Sequence, residues 1–207
     1  MRNCHVHLNY ALRHGLNKHC KEELDRAVCK IDMLLKELCH KQNSMAGIEY
    51  GAIFDTSGRY RYSLWRAWSS YHPRIVFVLL NPSAADEQRN DPTIRRCIGF
   101  ARAWEFGFVE VVNLFAYRAT DYRELFKVGD PVGEENDRFL VQAVERCSAV
   151  VVGWGTRGTL LGRDRQVIQL LAGRKDVYCL GLTKDGLPRH PLYLKDDTSL
   201  VPFCTCE

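Results

Sequence analysis

Asn81, Asp91 and His190 are the residues of this chain whose types and neighbours best suit chemistry. Asn81 follows the apolar run at residues 75–80 and precedes Pro82 and Ser83. Its carboxamide carries both donor and acceptor groups, so it can orient a water molecule or read the edge of a planar base, but it cannot act as a general base. Pro82 fixes the backbone beside it, and the Ser83 hydroxyl can donate to a carbonyl or phosphate oxygen. His190 lies between Arg189 and Pro191 and can donate to a developing oxyanion or exchange a proton near neutral pH. Asp91 opens Asp91-Pro92-Thr93 and reads with equal force as a helix N-cap and as a catalytic carboxylate. The plainer alternatives are a strand-to-turn Asn-Pro for Asn81 and a surface-turn histidine for His190.

Residues able to hold a ligand lie around them. Asn113-Leu114-Phe115-Ala116-Tyr117-Arg118-Ala119-Thr120 brings an amide, two aromatic rings that either stack on a ligand or fill the core, and an arginine suited to a phosphate or carboxylate. Gly153-Trp154-Gly155-Thr156-Arg157-Gly158 is a glycine-rich turn between a strand and a helix, a geometry that favours an anion at the helix N-terminus. It matches neither the Walker nor the dinucleotide-binding fingerprint. Alongside Ser83 and Arg189, the candidate substrate-binding residues are Asn113, Phe115, Arg118, Trp154 and Arg157. No metal and no cofactor are assigned.

Strands must position these side chains. Residues 75–80 are a continuous Val/Ile/Leu/Phe run bounded by turn residues, which predicts a strand buried on both faces. Residues 109–112, 149–152 and 177–182 repeat the pattern. Such strands belong to parallel sheets, whose ligands sit beyond the carboxyl ends, so four strand ends are expected to converge on one crevice. Residues 60–66 alternate like a half-exposed strand at the sheet edge, with Arg59, Arg61 and Arg66 as a solvated face. Helices are expected from Asp91 onward, with Ile94, Cys97, Ile98 and Ala101 at helical spacing, and over residues 134–147 and 160–171, with a short helical turn at 121–128. Strands alternating with helices indicate an α/β fold with helices on both faces.

At 207 residues and 46% apolar, the chain suits one domain plus an appendage. The net charge of +4 is uneven: eight Lys/Arg and five Asp/Glu precede Ala46, leaving 21 and 20 for the rest. A near-neutral main domain argues against a surface that coats nucleic acid, though not against a local basic cleft. No apolar stretch approaches the roughly 20 residues needed to span a bilayer, and the N-terminus lacks a secretory pattern. A cytoplasmic protein with reduced thiols is expected. Five of seven histidines and four of nine cysteines precede Lys41, but without the spacing of a zinc site. Leu24, Val28, Ile31, Leu35 and Leu38 form a short helical seam. The expected organisation is a helical N-terminal extension over residues 1–44 and an α/β domain over 46–207.

The segments around Tyr60-Arg61-Tyr62, Leu80-Asn81-Pro82-Ser83, Asp91-Pro92-Thr93, 113–120, Trp154-Gly155 and Arg189-His190-Pro191-Leu192 resemble an uncharacterised family known as domain of unknown function 1643, over about residues 50–202. Its name implies no activity. More distantly, Phe77-Val78-Leu79-Leu80-Asn81-Pro82-Ser83 is similar to the first motif of the uracil-DNA glycosylase superfamily, in the Asn-Pro-Gly version of its mismatch-specific uracil/thymine branch. Residues 113–120 and 151–155 resemble later strand-end segments of that superfamily, and His190-Pro191 resembles its His-Pro or Asn-Pro pair. The resemblance implies that Asn81 positions a hydrolytic water and that His190 contacts the base oxygen. It also implies a three-layer α/β/α sandwich around a four-stranded, mainly parallel sheet. Ser83 stands where that motif has Gly, and the superfamily's longer wedge is reduced to His190-Pro191-Leu192-Tyr193, whose Leu192 and Tyr193 either insert where a base leaves the stack or pack in the core.

The leading expectation is a glycosylase-like hydrolase acting on a nucleobase–sugar bond in nucleic acid or a nucleotide. The alternatives are a module that binds a modified base, nucleotide or nucleic acid without cleaving it, and an enzyme on a free nucleotide-like small molecule.

Overall fold

A computed structural model describes residues 49–83 and 85–205, together with Ala27 and Lys30. The chain divides into two units, Met1–Gly47 and Ile48–Glu207. The seam at residues 24–38, the expected helical extension and the Cys/His pairs before Lys41 lie outside the described residues.

The second unit is built on one seven-stranded sheet rather than a four-stranded one. Its strands are β1 (Glu49–Phe54), β2 (Arg61–Ala67), β3 (Arg74–Leu79), β4 (Phe108–Asn113), β5 (Ala149–Val152), β6 (Val177–Cys179) and β7 (Val201–Pro202). They lie in the order β1-β2-β4-β3-β5-β6-β7. The pairings of β4 with β3, β3 with β5 and β5 with β6 are parallel, and β1, β2 and β7 add antiparallel partners outside them. β2 is therefore not at the edge: β1 covers its outer side. This is also why Arg61 and Arg66, expected in solvent, are buried, while Arg59 is exposed.

The unbroken apolar runs are explained by burial on both faces. In β3, Ile75, Phe77 and Leu79 pack with Ile94, Cys97 and Phe100 of helix α1 (Pro92–Ala103). The alternate residues Val76 and Val78 pack on the other side with Leu140 and Val144 of helix α2 (Asn136–Glu145) and Val167 of helix α3 (Arg163–Leu170). Each buried side chain of this size contributes roughly 1.5–3 kcal/mol, so a one-residue slip that exchanged the two sets would be heavily disfavoured.

Helix α1 starts where the sequence indicates: the Asp91 carboxylate accepts from the Ile94 amide at 2.8 Å, with Pro92 in the first turn. The segment expected to be helical from residue 160 is split. Leu160–Gly162 forms a 3-10 turn in which Leu161 and Gly162 have φ values of 56° and 64°, and α3 begins only at Arg163. Gly adopts this left-handed conformation without strain, whereas a continuous helix does not pass through it. Both α2 and α3 are tied to the end of β4. Asn136 Nδ2 donates to the carbonyls of Asn113 and Leu114 at 3.0 Å each, and Arg163 Nε donates to the Leu114 carbonyl at 2.8 Å. These carbonyls sit where the ladder ends and would otherwise be buried without partners. Among the described residues, no helix is long and apolar enough to cross a membrane.

Candidate functional site

Register brings the four parallel strands to a common end. Leu79 pairs with Asn113, Val78 with Val152, and Val152 with Cys179. The chain then stays together past the ladder: Leu114 N–H donates to Leu79 O at 2.8 Å, Phe115 N–H to Leu80 O at 3.0 Å and Ala119 N–H to Pro82 O at 2.9 Å. A cleft of about 620 Å³ opens at this end, a volume in the range of small-ligand sites. Asn81, Asp91 and His190 all line it. So do Ser83, Asn113, Trp154, Arg157 and Arg189.

Two residues of the expected set do not. Phe115 is fully buried in the core on the α2–α3 side, where its ring gains more from leaving water than it would at a cleft wall. Arg118 stands on the Phe54 ring, 5.0 Å from its centroid, and donates to Gly58 O at 3.0 Å; it lines a smaller hollow beside the cleft.

Asn81 is held by its nitrogen. Nδ2 donates to the carbonyls of Ala119 at 2.8 Å and Pro82 at 3.0 Å. Both amide hydrogens are used, and Oδ1 has no partner among the described residues, so the residue presents an oriented acceptor. Asp91 lies at the end of a loop that folds back on β3: Ser83 Oγ donates to its Oδ2 at 2.5 Å, while its Oδ1 caps α1. The buried arginines of β2 hold that loop. Arg61 donates to Ala85 O at 2.8 Å, and Arg66 donates to Asp86 O at 2.8 Å and Asn90 Oδ1 at 2.9 Å.

His190 depends on glycines. Gly153 follows β5, and a Cβ there would lie 3.1 Å from Pro191 Cδ and 3.2 Å from Arg189 O. Its absence lets the 189–191 segment lie against the strand ends. Gly155, at φ +70°, donates its N–H to Pro188 O at 2.8 Å, and Gly158 leaves space for the Trp154 ring, which a Cβ would meet at 2.0 Å. The His190 imidazole accepts from the Leu192 N–H at 3.3 Å through Nδ1, so the neutral ring carries its proton on Nε2. Burial pushes its pKa down to about 4, against the opposing pull of the Asp91 charge; the ring is neutral at physiological pH.

Beyond the turn, Pro191–Tyr193 forms a 3-10 turn that leaves Tyr193 84% exposed and Leu192 half-buried. Neither packs as core. The helix expected directly after the glycine-rich turn starts later, because two 3-10 turns intervene, and Gly155, Thr156 and Arg157 of the turn line the cleft while no α3 residue does. Arg157 instead lies over the Tyr122 ring, 4.8 Å from its centroid.

Arg61 is the residue that the sequence pattern misplaced. It lines the cleft at 2% exposure. Burial lowers its pKa to about 10, with Asp91 opposing the shift, so it stays cationic at neutral pH. The alternation of Tyr60, Tyr62 and Leu64 puts Arg61 on the opposite, polar face, and nothing in the pattern reveals the strand and loop that bury it. Three residues lining the cleft carry buried polar atoms without a partner: Arg61 Nε, Asn113 Oδ1 and Trp154 Nε1. Buried polar groups are nearly always paired, so these three atoms, all on residues of one cleft wall, set the cleft apart. Among the described residues, no group of three His, Cys, Asp or Glu side chains is placed to hold a metal ion.

Fold and site thus define an α/β protein with a cleft at the carboxyl ends of its parallel strands. Residues 61–192 match the family model described as "Protein of unknown function (DUF1643)", and the chain belongs to that family. No curated protein and no solved structure matches it.

Proposed function

We propose that this protein is a glycosylase-like hydrolase that cleaves a nucleobase–sugar bond. The observation that carries this reading is the pairing, in one cleft, of an amide oxygen held free at Asn81 with an uncharged imidazole at His190. The similarity of residues 77–83 and of His190-Pro191 to the corresponding motifs of the uracil-DNA glycosylase superfamily supports it. Asn81 Oδ1 accepts a hydrogen bond from the attacking water. As the C–N bond breaks, its electron pair departs with the base, and His190 donates from Nε2 to the base oxygen on which the charge settles. The water oxygen bonds the anomeric carbon. Its proton passes to the Asp91 carboxylate, and the base is protonated from solvent on release. Arg61, Arg157 and Arg189 give the cleft the positive character that an anionic ligand needs, and the Trp154 and Tyr122 rings supply aromatic walls.

The test is release of base from labelled uracil-containing, mismatched and damaged DNA and from free nucleotides, with Asn81→Ala and His190→Ala beside the parent protein. Release lost in both variants is expected. Release unchanged in both would sink the assignment.

A second reading has one observation in its favour. Both oxygens of Asp91 already accept hydrogen bonds within the protein, which occupies them structurally and fits a module that binds a modified base, nucleotide or nucleic acid without cleaving it. Ligand retained without turnover distinguishes that outcome, and competition by mononucleotides but not by duplex DNA marks a free nucleotide as the ligand.

A further inference from the structure

A second hollow of about 330 Å³ adjoins the main cleft, and Ser83, Ala119 and Thr120 line both. The rest of its lining is Gly58, Arg59, Tyr117 and Arg118. Two arginines thus line a space whose lining includes no carboxylate. Among the described residues, neither arginine belongs to an ion pair. Arg118 is fixed in place by the Phe54 ring and by its bond to Gly58 O, and its Nε is buried without a partner. Arg59 is steadied by Ser57, whose Oγ accepts from its Nε at 3.3 Å and from its backbone N–H at 3.2 Å.

The wall between the two spaces is charged on both sides. Arg61, in the main cleft, feels the Asp91 charge in its favour and the weaker Arg118 charge against it, and Nε of both arginines is a buried donor with no partner among the described residues. Asp91 offsets part of this charge from the main-cleft side, whereas no carboxylate lines the hollow on the Arg118 side, so an anion there would relieve the remaining repulsion. Ser83 does not compete for that anion, since its proton is directed to Asp91. A guanidinium with free N–H groups suits the oxygens of a phosphate.

We propose that the hollow lined by Arg59 and Arg118 is a phosphate subsite, so that the ligand of the main cleft carries a phosphomonoester or phosphodiester on the sugar next to its base. This rests on the nucleobase reading of the cleft and narrows it: free bases and unphosphorylated nucleosides are poor ligands. Arg118 then serves the phosphate, in a compartment separate from the Arg157 and Arg189 rim.

Calorimetric titration tests this with a nucleoside, its 5′- and 3′-monophosphates, a short single-stranded oligonucleotide and inorganic phosphate. They are run against the full chain and its Arg59→Gln and Arg118→Gln variants, with circular dichroism to confirm folding. Charge-assisted bonds of this kind predict that a phosphorylated ligand binds about tenfold or more tightly than its nucleoside. That ratio is expected to fall several-fold in Arg59→Gln, which alters only an exposed side chain, and further in Arg118→Gln. A gain seen with the monophosphates assigns a free nucleotide; one seen only with the oligonucleotide assigns a chain phosphodiester; either supports the subsite. Equal binding of nucleoside and phosphorylated ligands, or a phosphate gain that both variants retain, overturns it. If no base-containing ligand binds, the nucleobase reading fails and inorganic phosphate decides alone: binding weakened by both substitutions upholds the subsite, and absent or unaffected binding removes it.

Discussion

The Ser83 hydroxyl and the Asp91 carboxylate form one hydrogen-bonded unit at 2.5 Å, joining the turn after β3 to the cap of α1. Asp91 therefore has a structural task in addition to the proton-accepting task proposed for it, and the two can be separated. Asn caps a helix about as well as Asp, so Asp91→Asn is expected to melt close to the parent protein, while Asp91→Ala loses about 1 kcal/mol. If the carboxylate accepts the proton of the attacking water, both variants lose base release. Full release by a stably folded Asp91→Asn protein would reduce Asp91 to a cap.

His190 gives the protein a pH dependence of defined sign. Its pKa is lowered by burial to about 4 from an ordinary 6.5, so between those values the unfolded chain binds the proton more readily than the folded one. Stability is expected to be complete above about pH 6.5 and to fall as pH drops towards 4, by about 3 kcal/mol. Denaturant unfolding followed across this range should show the slope, and His190→Gln should flatten it. Activity that depends on the neutral ring is expected to be level from pH 5 to 8; an activity that rose on protonation near pH 6.5 would contradict the role given to Nε2.

Asn81→Asp is a sharper probe than its alanine counterpart. It replaces two donations to the carbonyls of Ala119 and Pro82 with oxygen facing oxygen. The expected cost is about 1–3 kcal/mol in thermal unfolding, together with a loss of base release of roughly a hundredfold or more, the size seen when one positioned polar group is removed. Wild-type activity in this variant would show that the oxygen's orientation is irrelevant.

Gly158→Ala tests the support beneath the cleft. The new methyl would fall 2.0 Å from Trp154 Cδ1, against a ring only 2% exposed. Displacing it is expected to cost about 1–3 kcal/mol, a drop of several degrees in Tm, and to weaken ligand binding with it. Gly129→Ala, where an added Cβ meets nothing within 4 Å, is the control.

Much of this architecture is legible in the residues. The four apolar runs declare buried parallel strands because burial on both faces leaves no polar alternation, and Asp91-Pro92 announces α1 because capping chemistry is local. Placing Asn81, Asn113, Trp154 and His190 around one cleft follows from the rule that ligands gather at strand ends. What stays hidden depends on partners distant in sequence. β1 and the two-residue β7 have patterns too short or too mixed to declare strands, so five of the seven strands are legible, and β2 reads as an edge. Arg61 looks solvated because charge is a surface signal, and only β1 and the 85–90 loop give its guanidinium a reason to be inside. Phe115 shows the converse: a ring beside a polar motif looks available for stacking until core packing claims it.

The strand order has a consequence for how the chain is made. β3 is central, yet both of its neighbours, β4 and β5, come later in the sequence, and the histidine turn follows later still. During synthesis, the apolar β3 emerges with both edges unpaired and waits for the chain that will flank it. Exposed strand edges of this composition invite pairing with other chains, and contacts between residues far apart in sequence form slowly. Aggregation of fragments truncated before β4 is the expected result of that order, and the cleft is among the last features to be completed.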